Sequence, residues 1–148
     1  MTLRIARLLL LVLAGTGLVV GVWALFAPHS FYGSFPGAGR AWVAVDGPYN
    51  EHLVRDVGAL YLGLLAATLV ALRRLELTVV RAVGAAWLVF GTAHLAYHLG
   101  HLDLYALTDQ VLNVVTLGAV VAAAALCLVP WRHPDPHVTS APPASSFR

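Results

Sequence analysis

The chain has 148 residues, of which 59% are hydrophobic and only 11% charged, with a formal net charge of +2. An ordinary soluble domain carries about a quarter charged residues, so this surface cannot be wetted all round and part of its solvent must be lipid. All nine basic residues are arginines; they are dispersed, so the pI near 9.0 reflects no basic face and nucleic-acid binding has no support, while the lone Cys127 excludes an intramolecular disulfide and a cysteine-based zinc site.

A bilayer core needs about 20 mostly apolar residues in a helix, and four segments satisfy this. The first predicted span covers about 5–27 and closes at Pro28. Arg4 and Arg7 precede it as in a signal peptide, but the apolar run is too long for a typical signal core and no convincing small-x-small cleavage site precedes Pro28, so it reads as a retained anchor. The connection over 28–51 is rich in glycine and proline and carries Phe31, Tyr32, Phe35, Trp42 and Tyr49. Such aromatics commonly anchor at the water interface; the segment reads as a loop on the bundle mouth or, more sharply, as a lid over a cavity.

The second span covers about 52–72 and the third about 79–99, joined by a short hairpin around LELT in which Thr78 is placed to cap the following helix. The fourth covers about 110–129 and closes at Pro130, and the proline- and serine-rich tail 131–148 reads as disordered. Arg4, Arg7, Arg73, Arg74, Arg81, Arg132 and Arg148 fall on one side of this topology, leaving Arg40 and Arg55 on the other. The positive-inside rule then puts both termini in the cytoplasm of a multi-pass cell-membrane protein.

Packing in lipid depends on close approach through small residues. Gly17 and Gly21 form a GxxxG pair in the first span. Ala59, Gly63, Ala67 and Ala71 make a stripe in the second, and Gly84 and Gly91 share a face of the third with His94 and His98. These patterns suit a four-helix bundle and fit oligomer contacts almost as well.

The polar residues are the most informative for function. His29, His52, His94, His98 and His101 all fall on the extracytoplasmic side, as do Asp46, Glu51, Asp56, Asp103 and Asp109. On a helix, His94, His98 and His101 lie within about 60° of one another. His52 and Asp56 stand four apart beside Arg55, and Asp109, Asn113 and Thr116 share a face of the fourth helix. The predicted polar cluster is therefore His52, Arg55, Asp56, His94, His98, His101, Asp109 and Asn113, with an Arg55–Asp56 unit paired across to the histidines or Asp109. Ionisable groups facing lipid are costly, so these should point inward or meet water.

A metal reading uses His94 and His98, about 6 Å apart along the axis, completed by His52 and Asp56, a mixed nitrogen and oxygen set suited to zinc, iron or copper. A haem b reading needs axial histidines from opposing helices. No Cys-x-x-Cys-His, nucleophile elbow, Walker loop, dinucleotide fingerprint or HExxH occurs, and the broken-helix repeats of transporters are missing.

With GPYNEHLVRDVGALYLGL and AHLAYHLGH, the region from about residue 5 to 130 resembles small actinobacterial membrane proteins of the broad DoxX-like group. The resemblance implies a four-helix membrane bundle, some of whose relatives are associated with membrane redox or sulfur oxidation complexes. The active residues of those redox members do not map onto this chain.

The sequence thus predicts an all-α, four-transmembrane-helix bundle. Its leading functional expectation is a non-enzymatic accessory or interaction component without a cofactor, in contact with the lipid bilayer and with a membrane protein partner or a second copy. The alternatives are a metal- or haem-binding redox protein and a pH- or ligand-responsive one.

Overall fold

The computed structural model describes residues 2–130, and the tail predicted to be disordered lies outside the described residues. Among the described residues the chain is all helical: α1 (Leu3–Phe26), α2 (Pro28–Ser34), α3 (Glu51–Arg74), α4 (Leu77–Leu99) and α5 (Leu107–Leu126), with a 3₁₀ turn at Leu102–Leu104. The four long helices are each long and apolar enough to cross a membrane, as composition predicts.

Local chemistry sets the helix starts. The Thr2 hydroxyl accepts from the Ile5 N–H at 3.3 Å and the Asn50 side chain from the Leu53 N–H at 3.1 Å, satisfying amide donors that have no partner within the helix. Pro28 occupies the first turn of α2, where its missing N–H costs nothing. The link between α3 and α4 is tighter than the sequence indicates. Leu75 takes a left-handed conformation (φ 48°) and its N–H returns to the Ala71 carbonyl at 2.8 Å. The chain therefore reverses within two residues, α4 starts at Leu77 with Glu76 as its cap residue, and Thr78 falls inside the helix rather than capping it.

α1 packs most closely on α3, and α4 on α5, with looser seams between the two pairs. Both close pairings rest on glycine. A Cβ on Gly58 of α3 would lie 2.5 Å from the Leu25 backbone nitrogen, and one on Gly84 of α4 would lie 2.7 Å from Cys127 Cβ and 3.0 Å from the Ala124 carbonyl oxygen. Gly17 and Gly21 do face α3, meeting Tyr61, Leu62 and Leu65. The stripe on α3 is a different matter. Ala59, Gly63 and Ala67 are exposed and only Ala71 is buried, because the face that meets α1 runs through Gly58, Tyr61, Leu62 and Leu65.

One interhelical hydrogen bond crosses the seam between the pairs in the apolar interior. Trp87 Nε1 donates to Thr68 Oγ1 at 2.9 Å, and that hydroxyl donates to the Leu64 carbonyl at 2.7 Å, with both side chains fully buried. Every polar hydrogen of the pair is thereby used, the condition for burying such groups without penalty.

The segment between α1 and α3 does not lie flat as a belt. After α2 it turns through Gly37 (φ 101°), Ala38 (φ 54°) and Gly39 (φ 76°) and folds back over the bundle. Phe31 and Trp42 are buried, and Phe31 and Phe35 pack edge-on against Trp23 of α1, each 5.9 Å between ring centres. Tyr32 ties the segment down by donating to the Gly47 carbonyl at 2.8 Å. The aromatics expected as interface anchors thus form, in part, the roof of the bundle.

Candidate functional site

Beneath that roof lies a cavity of about 450 Å³, in the half of the bundle where α1 ends and α3 begins. Phe31, Phe35, Trp42, Val43 and Asp46 close it from above. Its walls come from all four long helices and are mainly aliphatic and aromatic, with Tyr61 and Phe90 at the seam between α3 and α4. It exists because the two tight helix pairs meet loosely. Val12 of α1 and Thr116 and Ala119 of α5 line it while also being exposed on the bundle surface, so it opens sideways between α1 and α5.

Polar groups enter the cavity from three directions. From α4 come His94 and His98, whose rings meet edge-to-face at 4.7 Å; His94 also stacks on Phe90 at 5.5 Å. From the roof comes Asp46. It is held by Tyr105, in the link between α4 and α5, whose hydroxyl donates to Asp46 Oδ1 at 3.0 Å and lies 3.2 Å from the Trp42 carbonyl oxygen. His98 Nδ1 stands 3.5 Å from the same hydroxyl. From α5 comes Asn113, 1% exposed, with neither its amide nitrogen nor its oxygen hydrogen-bonded.

Burial, reinforced by the hydrogen bond to Asp46 and its negative charge, holds the Tyr105 phenol above its ordinary range. The folded protein therefore keeps this proton more tightly than the unfolded chain. The associated stability is fully present below a pH of about 10, the ordinary phenol value, and is lost as pH rises through the higher folded value. In an absorbance titration at alkaline pH, Tyr105 should ionise among the last tyrosines, and Tyr105→Phe should remove that late component.

The predicted cluster does not stay together in space. His94, His98 and Asn113 reach the cavity. His52 and Asp56 face outward instead, with side chains 88% and 61% exposed, and His52 Nε2 stands 3.3 Å from Asp56 Oδ2. Arg55 binds Glu51 at 2.8 Å and donates to the Leu25 carbonyl at the end of α1, rather than joining Asp56 to the histidines. The reason is register: Val54, Gly58 and Tyr61 occupy the inward face of α3, which turns His52, Arg55 and Asp56 away from α4. The quartet His52, Asp56, His94 and His98 does not converge, and among the described residues no group of three or more His, Cys, Asp or Glu side chains is placed to hold a metal ion.

Asp109 pairs with Arg40 of the roof at 2.6 Å, and the neighbouring Gln110 donates to the Tyr105 carbonyl at 2.9 Å. His101 sits at the rim, stacked on Tyr97 at 4.2 Å with Nδ1 2.7 Å from the Tyr97 carbonyl. Residues at the site that lie outside the predicted cluster are Arg40, Trp42, Asp46 and Tyr105. Their only signal is that they are charged or aromatic residues in otherwise turn-like connections, and their roles depend on how those connections fold back.

No protein family matches this chain, and comparisons with characterised proteins and with solved structures give no match either.

Proposed function

We propose that this is an integral membrane protein whose roofed end faces outward and whose cavity binds a small lipophilic molecule without transforming it. The observation that carries the reading is Asn113. A buried amide with no partner costs about 1–3 kcal/mol, and native proteins bury such groups rarely. Here the amide borders a cavity within the 300–1,000 Å³ range typical of ligand sites, lined mainly by apolar walls with a few convergent polar groups, as such sites are. A guest offering a hydroxyl or carbonyl supplies the missing partner. The sideways opening between α1 and α5 suits a guest that arrives through the bilayer. The arginine bias supports the orientation.

The test uses adamantan-1-ol, a compact apolar body with one hydroxyl, on full-length protein in phosphatidylcholine nanodiscs. Trp42 lines the cavity, so a saturable change in tryptophan emission is expected as the guest alters its surroundings, lost in Trp42→Phe and missing from empty nanodiscs. A response that rises only linearly with probe, as for partitioning into lipid, would overturn the reading.

A further inference from the structure

The charge balance around the cavity narrows the kind of molecule it takes. The chain has no lysine, and neither arginine at the roofed end lines the cavity. Arg40 is held by Asp109 at 2.6 Å, and Arg55 by Glu51 at 2.8 Å and by the Leu25 carbonyl. Asp46 is the one side chain with a standing charge among the cavity-lining residues. Its Oδ1 accepts from Tyr105, a neutral donor, and among the described residues it forms no ion pair with an arginine. The histidines that share the cavity add hydrogen-bonding nitrogens but carry charge only when protonated.

A carboxylate without a fixed counter-ion, set into an apolar and aromatic enclosure, repels anions and attracts cations. The lining is also rich in aromatic residues, with Phe31, Phe35 and Trp42 in the roof, a residue type whose ring faces attract cations. Asp46 sits in the roof, whereas Asn113 lies six residues along α5 from its first residue Leu107, about 9 Å of helix. The two polar poles therefore stand at different depths.

Resting on the reading of the cavity as a binding site, we infer that its ligand is a lipophilic amine: a protonated ammonium beneath Asp46, on an apolar body that carries a hydroxyl or carbonyl down to Asn113. Neutral molecules of the same shape enter with lower affinity, and carboxylates are rejected.

The experiment compares three probes with one apolar body, 1-adamantylamine, adamantan-1-ol and 1-adamantanecarboxylate, on the wild-type chain in zwitterionic phosphatidylcholine nanodiscs at pH 7. The neutral surface of these discs keeps membrane charge from concentrating any probe. The amine should bind about tenfold tighter than the alcohol, the scale of one favourable charge contact in a partly buried site, and the carboxylate should be weakest. In Asp46→Asn, with helicity checked by circular dichroism, the amine should fall to the affinity of the alcohol. Equal binding of amine and alcohol in the wild type, tighter binding of the carboxylate, or an amine preference that survives Asp46→Asn would each overturn the inference. The wild-type ranking decides the matter even if the variant does not fold. Saturable binding of the alcohol without preference for the amine would leave the cavity reading standing and remove this one alone, whereas binding of none of the three would remove both.

Discussion

Gly58→Ala should lower the thermal midpoint of the purified protein sharply, whereas Gly63→Ala, five residues further along the same helix, should leave it nearly unchanged. At Gly58 the added methyl would meet the Leu25 main chain at 2.5–2.9 Å, while at Gly63 it meets nothing within 4 Å. A flexible side chain can move aside, but a helix backbone cannot, so α1 and α3 must separate along their whole contact. Overpacking typically costs about 1–3 kcal/mol, and this position belongs at the upper end. A substitution away from such contacts changes stability by less than about 0.5 kcal/mol. Thermal melts of both variants followed by circular dichroism decide the point; similar midpoints would show that the α1–α3 contact is not glycine-limited.

The second large effect has the opposite sign. Asn113→Leu replaces an unpartnered buried amide with an apolar side chain of similar size, and should stabilise the empty protein by about 1–3 kcal/mol, the cost of leaving such a group unsatisfied. The same change should abolish saturable binding of adamantan-1-ol, because the guest hydroxyl loses its partner. A group that merely supports the fold destabilises when removed, so a lowered midpoint in Asn113→Leu would show that the amide is satisfied in place and serves structure. Gain in stability with loss of binding is the signature of a site maintained against the preference of the fold.

The all-helical character and the four long apolar helices are legible from composition and run length, since hydrocarbon leaves a chain few other ways to satisfy its backbone. The inward direction of His94, His98 and Asn113 follows from helical period together with the cost of polar groups in lipid. The expected pairing of Arg55 and Asp56 across to the histidines or Asp109 does not form. Near a helix end, water is within reach, so polar groups there need not turn inward, and the face of α3 was decided by Gly58 and its contact with Leu25. Helical period alone carries no information about which of two faces will find a partner backbone. Asp46 and Tyr105 were not legible as site residues for another reason: they lie in connections, Asp46 reaching the cavity through a roof turned at Gly37, Ala38 and Gly39, and Tyr105 reaching His98 through the 3₁₀ turn at Leu102–Leu104, and neither turn marks what it will cover.

The unequal tightness of the helix contacts bears on how this chain can change over evolutionary time. Each glycine-set pair is formed by consecutive stretches of sequence, α1 with α3 and α4 with α5, and only Leu75 and Glu76 separate the two halves. The two pairs meet across the looser seams, and the chamber lies where they meet. Side chains along that seam, such as Phe90 beside Tyr61, can then be exchanged for larger or smaller ones while the Gly58 and Gly84 contacts within the pairs stay as they are. The chamber's volume is thereby uncoupled from the close contacts of its halves, so substitutions at the seam can resize it while each glycine-set pair stays intact.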